Sequence, residues 1–363
     1  MKKYLVWLVL SICLVPLLPN SSFAAIHAPT LDANRISINY NLDRTQSDGA
    51  FHDGLLLAEQ TNGALVYYNA KGTVAFHLPP ALRPVSDYSS QRAIVQDKLT
   101  KLYGYVNTKG VMVTPLQYEE VTSFAEGVAH VRRADSHIEY LIDRGGNILL
   151  QLTTRYDSDF HFSNGLSLVT DTKTGHIGYI NKNGHLTIPY SYKYGRDFAE
   201  QLALVQNKTG QYGFINTKGK VTIPLQYKAA QDFQEGVAAV QNKAGQWGFI
   251  DNRGQVFLPF HWSRVDSFSE GLAAVYNRKG QVAFINKKGA LVIPYQKYNK
   301  ASPFKQGLAL VGIGDNTNGK FGYINQKGRL VTALQYRSES SSFSAEGLAV
   351  AILSPGKALI LSK

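Results

Sequence analysis

A positively charged side chain stands one or two residues before a glycine at eight regularly spaced places in this 363-residue chain. The cations are Lys71, Lys109, Arg144, Lys182, Lys218, Arg253, Lys288 and Lys327, and the glycines run from Gly72 to Gly328 at spacings of 35 to 39 residues. Cations repeated at a fixed interval suit one kind of chemistry. Each makes a weak contact to an anionic group, and a polymer that engages several at once gains an avidity that salt screens away. The same residues also serve as wet, charged tips that keep strand edges from pairing with other chains. Recurrence alone does not separate these two roles.

Residues for other chemistry are scattered. Nine histidines (His27, His52, His77, His130, His137, His161, His176, His185 and His261) fall at different phases of the repeat without metal-ligand spacing, and most are expected on loops or surface. No Gly-x-Ser-x-Gly elbow, His-Glu-x-x-His pair or phosphate-cradling glycine loop occurs, so no cofactor is expected. Asp157-Ser158-Asp159 and Asp315-Asn316-Thr317-Asn318-Gly319 offer oxygen ligands but do not complete a calcium loop, and the second reads as a long hairpin loop. Glu126, Glu200, Glu235, Glu270 and Glu346 recur beside the same turn, which predicts a structural hydrogen bond rather than a catalytic acid. A hydrolase or lyase site would have to use residues that depart from the repeat: His52, Asp53, His130, Asp159 and His161. Tyr103, Tyr212, Trp247, Phe321, Tyr118, Tyr227 and Trp262 recur once per unit and read as core; Tyr67 and Tyr68 are the candidates for stacking on a sugar.

The elements that carry these residues can be read from one unit. Gln211 to Asn216 alternates as a strand with both faces covered, Asn216-Thr217-Lys218-Gly219 suits a hairpin turn capped by the Asn side chain, and Val221 to Pro224 returns. Proline cannot donate to a ladder, so the returning strand is expected to stop there. Tyr227, Ala230, Phe233 and Gly236 then fall at every third residue, which predicts a 3₁₀-like plug. Gly236 to Gln241 forms a further strand, its small Ala238 and Ala239 placed nearest the axis of any ring.

Such a unit cannot bury both faces alone, so neighbours must stack. The expected fold is all-β: a tandem array of about eight three-stranded antiparallel β-meander repeats of 35–39 residues, spanning 51–363. A propeller-like ring is favoured over an open curved β-solenoid. Residues 347–361 begin a ninth unit that lacks a third strand, and within the N-terminal segment 25–50 the alternating residues 35–42 can supply it and close the ring. Packing of 35–42 on the first unit alone would rule the ring out.

These units resemble the WG repeat of bacterial proteins: aromatic-Gly-aromatic-Ile-Asn/Asp, Gly, a Val/Ile run, Pro, Tyr, Phe, and Glu-Gly-Leu-Ala, over roughly residues 51 to 353. Departures are Ala283 for the glycine after the aromatic, Gln201 for the glycine of Glu-Gly, and Ala333 where earlier units have Pro189, Pro224, Pro259 and Pro294. The resemblance implies a repeat scaffold and no particular reaction.

Residues 1–24 read as a signal peptide: Lys2 and Lys3, an apolar run, and Ser22-Phe23-Ala24 before a cleavage near Ala24. Cleavage would remove Cys13, the only cysteine, and lower the formal charge from +12 to +10. The expectation is a secreted or cell-envelope-associated binding scaffold, non-enzymatic, whose hairpin-tip edge meets an anionic cell-wall polymer or polysaccharide, or an envelope protein. An envelope hydrolase or lyase and a structural spacer are the alternatives. Nucleic acid is not expected as a partner, and a membrane only through an uncleaved signal segment.

Overall fold

The computed structural model describes residues 36–38, 47–60, 62–153, 156–315, 318–338, 340–355 and 357–363. The expected signal peptide lies outside them, and of the expected closing strand only Ile36–Ile38 lies within them. The described residues are all-β, with antiparallel pairing throughout.

The sixth sector shows how one unit is built. Its strands Ala229–Ala230, Val237–Gln241, Trp247–Asp251 and Val256–Trp262 lie side by side in chain order. A two-residue turn, Glu235-Gly236, joins the first two with φ of 54° and 82°, and Gln234 and Val237 exchange both backbone hydrogen bonds across it. Positive φ at both central residues matches the right-handed twist of the strands, which is why glycine is preferred here. The middle strands are buried on both faces, and the last is largely exposed.

Three local expectations are corrected. The segment after the proline is not 3₁₀-like: Ala229 and Ala230 pair with Gln241 and Val240, and the chain then leaves the ladder to insert Phe233. That short strand, not the small-residue one, occupies the edge of the sheet. The returning strand also runs through its proline, as Val221–Tyr227 does, because the register shifts between Phe214↔Ile223 and Tyr212↔Tyr227. The shifted chain passes close over Gly213, where a Cβ would meet Ile223 O at 2.6 Å and the Leu225 backbone at 2.8 Å. This explains the glycine after the aromatic. Where Ala283 replaces it, the returning strand Leu291–Ile293 ends before Pro294.

Among the described residues nine apolar clusters lie between consecutive sectors, not within them. Val237, Ala239 and Phe249 of the sixth meet Val265, Phe268 and Ala273 of the seventh, for example. The ninth cluster joins Val350, Ile352 and Ile360 to Leu56, Ala58 and Tyr68 of the first sector. Ile36–Ile38 pairs with the last strand, Lys357–Ser362, in the register Ile36↔Ile360, Ser37↔Leu359, Ile38↔Ala358. The array is therefore a closed ring of nine sectors, and the N-terminal strand completes the ninth. Each buried aromatic at a seam contributes about 2–3 kcal/mol. Side chains reinforce the seams: Ser269 Oγ donates to Phe304 O at 2.6 Å, and Ser163 Oγ to Phe198 O at 2.6 Å.

The two kinds of glycine should respond differently to substitution. Gly213→Ala meets backbone atoms and is expected to destabilise by about 2–3 kcal/mol. Gly236→Ala enters open space, keeps only the strain of its positive φ, and is expected to lose about 1 kcal/mol. Urea unfolding of both variants checks this; equal losses would contradict the close-approach explanation.

Candidate binding face at the hairpin tips

Each tip is held by its first residue. Asn216 Oδ1 accepts the Lys218 and Lys220 N–H groups, both at 3.0 Å. Asp251 does the same for Arg253 and Gln255, Asn286 for Lys288 and Ala290, and Asn325 for Lys327 and Arg329. The turn glycines then rest on the preceding sector: a Cβ on Gly219 would lie 3.3 Å from Ile188, and one on Gly254 3.4 Å from Ile223. The tips thus stack in register at one end of the ring, each presenting its cation from a fixed turn.

The Glu-Gly turns share that end. Glu126, Glu200, Glu235 and Glu270 accept the backbone N–H of Gly165, Gly236, Gly271 and Gly307 in the next sector. The structural hydrogen bond expected of these glutamates is present at all four. Two also receive a lysine from the tip of that next sector: Lys182 Nζ is 3.1 Å from Glu126 Oε2, and Lys287 Nζ is 3.3 Å from Glu235 Oε2. Gln326 reaches Glu270 in the same way.

Lys182 therefore departs from the other seven predicted residues. It occupies the second position of its turn, from which a side chain folds back onto the Glu of the preceding sector. Arg144 is also second, but the turn before it is Ser90-Gln91 and offers no carboxylate, while Lys218 and its five equivalents occupy the third and point away. Lys71, Lys109, Arg144, Lys218, Arg253, Lys288 and Lys327 are exposed, and their side chains make no hydrogen bond or ion pair among the described residues. Sequence reading missed what lies beside them. The chain leaving six of the tips begins with an exposed apolar residue: Val111, Ile148, Leu186, Val221, Val256 and Leu291. The signal was the Val/Ile run after each turn, half of which faces outward.

The pattern-breaking residues do not gather in one place. His161 Nδ1 lies 2.7 Å from Asp197, in a file of inter-sector contacts along the short-strand edge that continues with Arg196 to Asp232 and Ser267 to Gln231. His52 and Asp53 lie where the ring closes, bordering a cavity with Glu346 and Lys305. His130 is at the seam between sectors three and four, and contrary to the surface expectation it is only 6% exposed. There Glu139-Tyr140-Leu141 replaces the aromatic-Gly-aromatic triplet, leaving Leu141 where other seams have a ring. Phe160 supplies the missing ring. It stacks on His130 with centroids 4.2 Å apart and adopts φ 51°, a conformation bulky residues rarely take. His130 Nε2 is 3.3 Å from Glu139 Oε2, and a cavity of about 510 Å³ opens beside the pair. The recurrent aromatics pack at the seams as expected, but Tyr67 and Tyr68 are buried too, so neither offers a sugar a face.

Together these features define a propeller-like repeat protein with a cationic end. A profile of the WG containing repeat matches residues 103–134, 177–208, 212–244, 247–280, 283–316 and 321–352. This is more than half of the chain, which belongs to that family. A search of curated proteins finds no match. Among solved structures the chain is similar to BamB from Moraxella catarrhalis, at 12% identity over 90% of this chain and 98% of that one, with a TM-score of 0.44. It is also similar to the C-terminal WD40 domain of Sif2, at 9% identity over 90% and 97%, TM-score 0.44. The computationally designed Ika8 protein matches at 14% identity over 76% and 94%, TM-score 0.43.

Burial pushes the His130 imidazole down to about 4. The unfolded chain then binds the extra proton between that value and the ordinary one near 6.5, so stability falls as pH drops through this window. His130→Leu is expected to remove about 2–3 kcal/mol of the difference in unfolding free energy between pH 7 and pH 4.5. Urea midpoints at both pH values check it; an unchanged pH dependence would contradict the assignment.

Proposed function

We propose that the protein is an exported binding scaffold whose hairpin-tip end engages an anionic cell-envelope polymer. One observation supports this reading above the rest: the unpaired tip cations stand beside exposed apolar residues, sector after sector, at one end of the ring. Solubility accounts for exposed lysines. It does not account for Val221, Val256 and Leu291 next to them, because a surface kept wet only for solubility favours polar neighbours. A polymer laid around the tips meets a cation and an apolar contact in each sector, and the contacts sum through multivalency. Export is supported by the character of residues 1–24, and the fixed turns lower the ordering cost of binding.

Replacing Lys218, Arg253, Lys288 and Lys327 together with serine tests the reading. Retention on isolated cell wall and on dextran sulfate is expected to fall roughly ten-fold or more, with an unchanged melting temperature, and wild-type retention is expected to weaken steeply with salt. Unchanged retention in the variant would reject the proposal.

A further inference from the structure

The strongest unassigned constellation lies beside the ring closure. Asp48 and His52 come from the segment that enters the first sector, and Asp87 from the short-strand edge of the second. Their ligand atoms all lie within 4.8 Å of one another. His52 Nε2 is 2.9 Å from Asp48 Oδ1, and Asp87 Oδ2 accepts the Asp48 N–H at 3.1 Å. The other Asp87 oxygen, Oδ1, is shielded from solvent and has no partner at hydrogen-bond distance, although the half-buried Asp87 carboxylate also interacts with the Ser47 hydroxyl. An orphaned buried carboxylate oxygen is uncommon in a folded protein and calls for a water or an ion.

We infer that Asp48, His52 and Asp87 form a binding site for a first-row divalent transition-metal ion. Two carboxylates and one imidazole are a mixed oxygen–nitrogen donor set, which suits zinc or manganese better than calcium, an all-oxygen ion. Ligands placed 2.0–2.2 Å from such an ion are about 3–4 Å from each other, so the present separations close with small side-chain rotations. Binding displaces the proton that His52 shares with Asp48, and the imidazole nitrogen becomes the ligand. Asp48 and His52 border the cavity that Asp53, Lys305 and Glu346 also line, from which solvent can complete the shell.

The location gives the ion a structural role. Residues 48–52 follow the segment that carries the closing strand Ile36–Ile38, and Asp87 belongs to the neighbouring sector. A metal here ties the root of the closing strand to the body of the ring. It would stabilise the closed form in proportion to its occupancy.

The test is a calorimetric titration of zinc sulfate into the untagged full-length chain at pH 7.5, paired with melting curves. The expected result is one saturable zinc per chain and a melting temperature that rises with zinc. His52→Ala and the isosteric Asp87→Asn should each weaken binding at least ten-fold and abolish the melting shift, while His161→Ala, which alters another histidine–carboxylate pair, changes neither. Absence of saturable binding in the wild type would overturn the inference. So would zinc binding that persists undiminished in both site variants, or calcium binding as tightly as zinc.

Discussion

No sector of this chain has a core of its own. Val237, Ala239 and Phe249 are buried only because Val265, Phe268 and Ala273 of the next sector cover them, and the same holds at each seam. An open array of such units would leave one apolar face bare at each end. The chain resolves this by closing on itself: Ile360 and Val350 meet Leu56 and Tyr68, and Ile36–Ile38 pairs alongside. Nine sectors exceed the four to eight usual for propellers.

Closure decides what the two kinds of turn can do. Because sectors stack in register, Glu126 bonds Gly165, Glu200 bonds Gly236, and so on, and the tips of successive sectors arrive at one end. A lysine in the second position of a tip is drawn into this lattice, whereas one in the third position stays free. The cationic face is thus a by-product of seam geometry. Its cations have a fixed spacing because the hydrophobic seams do.

Local chemistry was readable from the residues. Asn216 caps its turn through Oδ1, Gly219 takes the positive φ, and Phe233 and Phe268 fill the seams, each of which follows from a few neighbouring side chains. The closing role of residues 36–38 was also legible, because the ninth unit visibly lacked a strand. What stayed hidden depends on register between sectors. Lys182 looks like Lys218 until its turn position aims it at Glu126. The strand through Pro224 survives because a register shift places the proline outside the ladder. His130 reads as a surface histidine until Leu141 and Phe160 are seen to exchange the seam's ring between sectors. Asp48, His52 and Asp87 share no motif, since one repeat length separates His52 from Asp87.

The closed ring is tested most directly by a disulfide across its joint. Ser37 and Leu359 are directly opposed in the antiparallel pair that completes the ninth sector, and opposed positions lie about 4.5–5.5 Å apart, within disulfide range. Cys13 is the only native cysteine, so a chain carrying Ser37→Cys and Leu359→Cys with Cys13→Ser has a single possible bond. Mild oxidation of dilute protein is predicted to give a cross-linked monomer that migrates faster on a non-reducing gel and melts at a higher temperature. Cysteines that stay reduced, or that link only between molecules, would contradict closure.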